Sequence, residues 1–172
     1  MKVKYILALS VALMPVVAAF AGGKKAIKPK KADFKLIEAY RQNISGGAAP
    51  TLTPTGEHII VSWKVAEYPA TFYWRGEKGF MMCSIKKAHK INGKEAGKFP
   101  PGMVYRTEET TGDGIHKGDT LEIMPVANGK VRIPDDIPQN AKNTLFYKVS
   151  GNDQWRLFPV TKITKKKAII TQ

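Results

Sequence analysis

The sequence predicts an all-β protein: an antiparallel β-sandwich in the first instance, with a small β-barrel as the alternative. Three observations carry this. After residue 33, about eight short apolar or alternating runs recur between glycine, proline and asparagine punctuation. Tight-turn signals separate neighbouring runs at Gly76-Glu77-Lys78-Gly79, Ala127-Asn128-Gly129 and Ser150-Gly151-Asn152-Asp153. Beyond residue 42 no stretch keeps apolar residues at helical spacing for ten positions.

Taken in order, Phe34 to Tyr40 fits a strand or a single helical turn, and the strand is preferred. Ser45 to Gly56 is a loop rich in glycine and proline. His58 to Glu67 is the clearest strand, with Ile59, Val61, Trp63 and Val65 on one face, and Pro69 is expected to end it. Thr71–Arg75 and Phe80–Lys86 form a hairpin, followed by a basic excursion from Lys86 to Pro101. Met103–Thr107 is a further strand, and Thr110–Asp119 a glycine-aspartate loop. Leu121–Met124 and Lys130–Ile133 flank Asn-Gly as a hairpin. Thr144–Val149 and Gln154–Val160 form another, and Pro159 places the latter strand at an edge or bulge. Ala168–Thr171 adds a last short strand.

The domain plan has three parts. Residues 1–21 read as a cleavable signal peptide: a basic head at Lys2 and Lys4, an uncharged run from Tyr5 to Phe20, and small residues at Ala19 and Ala21. That run is shorter than the ~20 residues a membrane-spanning helix needs, and Pro15 interrupts it. Residues 22–33, with five lysines, read as a disordered basic tail. Residues 34–172 form one β domain. The chain is therefore expected to be exported, periplasmic or extracellular, and not an integral membrane protein.

The full chain of 172 residues carries a net charge of +14. Lysine dominates, because Arg41, Arg75, Arg106, Arg132 and Arg156 are the only arginines. Lysine acts as a diffuse point charge, whereas arginine supplies the bidentate fork of phosphate and base readout. The balance points to anionic surfaces and away from nucleic acid. Cys83 is the single cysteine, so no internal disulfide is possible; its apolar surroundings read as a buried, inert thiol.

No catalytic residue, metal ligand or cofactor is assigned. Asp113, His116 and Asp119 form the densest group of hard ligands, but Gly-Asp steps are ordinary turn chemistry. HExxH, GxSxG and phosphate-cradling glycine motifs do not occur, and no cysteine-protease signature surrounds Cys83. Two candidate binding features remain. One is the basic patch Lys86, Lys87, Lys90 and Lys94, suited to an anionic glycan, a lipid surface or an acidic protein. The other is an aromatic strand face with Tyr73, Trp74 and Trp155, suited to a glycan or a peptide if its rings are exposed.

Several segments in this order resemble small exported bacterial β-sandwich proteins of unknown function: Ile37 to Gly47, the strand at His58, Lys117-Gly118-Asp119-Thr120-Leu121, Leu145-Phe146-Tyr147-Lys148, and Trp155 to Lys162. The resemblance implies a compact single-domain β fold and transfers no catalytic residue. The function expected is non-enzymatic binding or scaffolding in the cell envelope. A secreted glycan- or peptide-binding module using the aromatic face is the first alternative. A small envelope enzyme with a site assembled from scattered residues is the second.

Overall fold

The computed structural model describes residues 32–45, 53–54, 56–77, 79–127, 134–137 and 141–170. These residues are all-β, with strands β1 (Phe34–Arg41), β2 (Ile44–Ser45), β3 (Thr53–Pro54), β4 (Glu57–Trp63), β5 (Pro69–Gly76) and β6 (Gly79–Lys90). After them come β7 (Tyr105–Glu109), β8 (Thr120–Ala127), β9 (Thr144–Val149), β10 (Asn152–Pro159), β11 (Thr164–Lys165) and β12 (Ile169–Ile170). Two single-turn 3-10 segments, Ala96–Lys98 and Gly112–Gly114, are the only helical pieces among the described residues.

Eight strands follow one hydrogen-bonded path, β10-β9-β5-β6-β8-β4-β1-β11, in a sheet curled into a half-barrel; β3 pairs with β8 and β7 with β6 off this path, and β12 with β2 forms a separate two-stranded sheet. The pairing is mixed, because β11 joins β1 in parallel and β12 joins β2 in parallel. Alternation explains the curl. In β4, Ile59, Val61 and Trp63 point into the concave core, where they meet Phe72, Trp74, Leu121, Ile123, Leu145 and Tyr147. Each of these large side chains contributes ~1.5–3 kcal/mol on burial. The convex face carries a smaller core of Phe146, Trp155 and Ile137, with Tyr73, Phe80 and Leu157 against it.

Three sequence expectations need correction. Pro69 does not end the preceding strand; it opens β5 at the first position of that strand. The basic excursion begins later than Lys86, because β6 continues to Lys90 and pairs there with β7. Asp33, expected within the disordered tail, is buried. The second arm of the Asn-Gly hairpin, residues 130–133, lies outside the described residues, as do residues 1–31. Pro159 closes β10, an edge strand whose register shifts between Asn152 and Arg156.

Two tyrosines show how burial and charge combine. Burial, then the bond and charge of Asp33, push the Tyr147 phenol well above its ordinary value. Burial, then Glu122 and Glu38, do the same for Tyr40. The folded chain keeps these protons where the unfolded chain releases them. Their stabilisation is therefore complete below about pH 10 and is lost as pH rises above it. Urea midpoints should fall as pH rises beyond about 10, with the buried Cys83 thiol adding to the loss from about pH 9. In a spectrophotometric titration Tyr40 and Tyr147 should ionise only on unfolding; a complete phenolate signal before the unfolding transition would contradict this.

Candidate functional site

The basic patch is organised by the late part of β6. Lys86, Lys87, Ala88, His89 and Lys90 pair in register with Glu109, Glu108, Thr107, Arg106 and Tyr105 of β7. A basic strand thus meets an acidic one, and opposite charges across strands favour that pairing. Lys86 Nζ lies 2.6 Å from Glu109 Oε1, and His89 Nε2 lies 3.1 Å from Glu108 Oε1. The other edge of β6 is taken by β8, from Cys83 opposite Pro125 to Lys87 opposite Leu121.

A turn at residues 116–119 brings in the facing wall. Gly118 adopts the left-handed φ of 101°, its N–H donates to Trp63 O at 2.9 Å, and Trp63 N–H donates to Asp119 O at 2.8 Å. Asp119 Oδ2 then accepts the His116 N–H at 2.9 Å and meets Lys87 Nζ at 3.1 Å. Partial burial pushes the Asp119 carboxyl up, but the His116 amide and the Lys87 ammonium outweigh it and hold the group below its ordinary value. On the loop side, Ile91 N–H donates to Val104 O at 2.9 Å, and Asn92 Oδ1 accepts the Glu95 N–H at 3.1 Å.

Between these walls lies an open cleft of about 570 Å³, lined by Lys87, His89, Lys90, Asn92, Glu95 and Arg106 among others. Its lining is almost wholly polar, Ala88 being the one apolar side chain among the described residues. Lys87 is tied to Asp119, whereas Lys90 and Arg106 form no ion pair among the described residues. The cleft therefore offers two available cations beside the acceptors of Asn92 and Glu95.

The four predicted lysines separate in space. Lys87 and Lys90 line the cleft, Lys86 is held by Glu109, and Lys94 is exposed in the Asn92–Glu95 turn. Arg106, Asn92 and Glu95 are the residues the sequence reading missed. The signal for Arg106 is its place opposite His89 once the acidic strand at Glu108 and Glu109 is matched to the lysines.

The aromatic residues do not make an exposed platform. Trp74 is fully buried on the concave side, where its Nε1–H donates to Glu57 Oε2 at 2.9 Å. Tyr73 faces the opposite way, stacked on Phe80 at 5.2 Å and edge-on to the buried Trp155 at 5.5 Å. Ile137 and Ala141 pack against this group. The physical reason is the strand period of two, which puts adjacent residues on opposite faces, each with its own core.

Cys83 is buried; burial, with Glu57 nearby, pushes its thiol well above the ordinary value. His89 lies six residues further along the same strand, about 20 Å away, beyond hydrogen-bond reach of the thiol. Asp113 takes the Thr111 hydroxyl while Asp119 takes His116 and Lys87. Among the described residues no three His, Cys, Asp or Glu side chains converge to hold a metal.

One polar group lies deep in the sheet. His58 Nδ1 is 2.8 Å from Glu122 Oε1, and Tyr40 stacks on the imidazole at 4.8 Å. Lys166 Nζ sits 3.5 Å from the Tyr40 ring centre and 2.8 Å from Glu38 Oε2. His58 Nε2 is buried, with no hydrogen-bond partner among the described residues. A general base must reach the proton it takes, and this nitrogen is shut off from solvent. The group braces β1, β4 and β8. No family model, no curated protein and no solved structure matches this chain.

Proposed function

We propose that the protein is an exported, non-catalytic domain of the cell envelope that binds an acidic glycan segment in the cleft between late β6, β7 and the turn at residues 116–119. The observation that carries this reading is the lining itself. Lys90 and Arg106 stand without acidic partners among the described residues, beside Asn92 and Glu95, in an opening of about 570 Å³. Cations attract the carboxylates or sulfates of such a polymer, and the amide and carboxylate oxygens accept from its hydroxyls. The chain's charge of +14 adds a long-range pull toward polyanions. The leader-like first 21 residues support export. No helix of the described residues is long and apolar enough to cross a membrane. The aromatic alternative loses support because Trp74 and Trp155 are buried.

The test is binding of the purified protein to a uronate polymer and to neutral dextran at matched ionic strength. The expected result is selective, salt-sensitive binding of the uronate. Lys90→Glu combined with Arg106→Glu should weaken it about tenfold or more, roughly 1.4 kcal/mol, while Lys142→Glu beside β9 should leave it near the original value. Equal affinity for both polymers, or affinity unchanged in the double variant, would overturn the assignment.

A further inference from the structure

At the other end of the sheet a second, smaller concavity of about 330 Å³ is lined by Arg41, Asn43, Lys165, Lys166 and Ala168. The two openings are far apart along the strands. The β6 residue Lys87 lies level with Leu121, Val61 and Leu36, whereas Arg41 lies level with Glu57 at the opposite end of β1. Their linings also differ in charge. Glu95 and Asp119 line the first cleft, but among the described residues no carboxylate lines the second.

The second concavity is a built place. Lys166 N–H donates to Arg41 O at 2.9 Å, and Gln42 Nε2–H donates to Lys167 O at 2.7 Å, so the end of β1 and the chain after β11 are held side by side. Arg41 and Lys165 are direct partners in the parallel pairing of β1 with β11. The guanidinium is fixed from behind, with Nη2 2.7 Å from the buried Glu57 Oε1 and 3.3 Å from Glu77 Oε2. Both ion pairs use Nη2, which leaves Nη1 and Nε as donors. Lys165 is exposed and forms no ion pair among the described residues. Lys166 is already engaged by Glu38.

We propose that Arg41, Lys165 and Asn43 form a second ligand site, one that takes a phosphate-type oxyanion, free or carried on a lipid headgroup. An anion set between Arg41 and Lys165 receives charge-assisted bonds from a pre-positioned guanidinium and from the Lys165 ammonium. The Asn43 side-chain amide adds neutral donors. This site is independent of glycan binding in the β6–β7 cleft.

The test is an NMR titration of the purified protein with inorganic phosphate at constant ionic strength, with chloride as the balancing anion. Vesicles of phosphatidate in phosphatidylcholine form a second arm. Saturable shifts at residues 41–43 and 165–168 are expected. Lys165→Glu, an exposed position, should weaken phosphate about tenfold or more; Asn43→Ala should weaken it less. Arg106→Glu in the other cleft should leave phosphate binding unchanged, and Lys165→Glu should leave uronate binding unchanged, so the two sites fail or stand separately. Vesicle capture that Lys165→Glu abolishes, without saturation by free phosphate, identifies the headgroup as the source and upholds the site. Chloride and phosphate acting alike, a response that survives Lys165→Glu, or no response in either arm overturns it.

Discussion

Replacing Asp33 with alanine is expected to lower stability by about 3 kcal/mol, the lower end of the cost of breaking a buried pair from one side. A single carboxylate oxygen of Asp33 accepts from Tyr147 Oη at 2.6 Å and from Arg156 Nη1 at 2.6 Å. Tyr147 is fully buried, and the Arg156 side chain is only 19% exposed. Without the carboxylate, a guanidinium and a phenol remain in a site that water barely reaches. Asp33→Asn keeps an acceptor oxygen but loses the charge, so its cost should be intermediate. The decisive comparison is a urea series in which Asp33→Ala is also made in a Tyr147→Phe/Arg156→Met background. There its cost should largely vanish, because no stranded donors remain. An equal cost in both backgrounds would show that Asp33 acts through backbone conformation instead.

The second large effect is expected at Gly76. An added Cβ there would lie 2.3 Å from Trp74 Nε1 and 3.1 Å from two further indole atoms. Gly76 has no left-handed φ, so backbone conformation is not at issue. The conflict is with a fully buried ring whose Nε1–H donates to the buried Glu57. Gly76→Ala must push the indole aside, at the ~1–3 kcal/mol typical of overpacking. It also weakens a bond to a buried carboxylate, worth on the order of 1–2 kcal/mol more. Thermal unfolding followed by tryptophan fluorescence should show a clearly lowered midpoint and an altered native spectrum. Gly93→Ala is the matched control: nothing lies within 4 Å of its added Cβ, and its φ is not left-handed. If the two variants unfold together, the indole at position 74 has more room than the geometry indicates.

How far the sequence disclosed this fold depends on how local each cause is. The turns at residues 76–79 and 150–153 were legible because glycine and asparagine chemistry acts within a few residues. The strand at His58 was legible because Ile59, Val61 and Trp63 fall on one face, although it ends at Trp63 and not at Glu67, and His58 and Ile60 on its other face are buried too. The end of β6 was not, because Lys86 to Lys90 looks like a solvated charge run until the acidic strand from Tyr105 to Glu109 is laid beside it. Asp33 was illegible for the same reason on a larger scale, since its partners lie 114 and 123 residues away. The candidate site was partly legible. The run of lysines stood out in the sequence, but their adjacency hid different surroundings: Lys86 pairs with Glu109, Lys87 pairs with Asp119, and Lys90 forms no ion pair among the described residues. The concavity at Arg41 was not legible at all, because it requires knowing that the chain returns to that strand after more than a hundred residues.

That return has a kinetic consequence. β1 is among the first strands made, yet one of its neighbours, β11, is among the last. The sheet therefore cannot close until β11 has left the ribosome, and its completion waits for that strand. Chains dominated by such distant pairings fold slowly, in about milliseconds to seconds. A truncation that removes the residues after Val160 would release a chain whose first strand has an open edge, ready to pair with another copy.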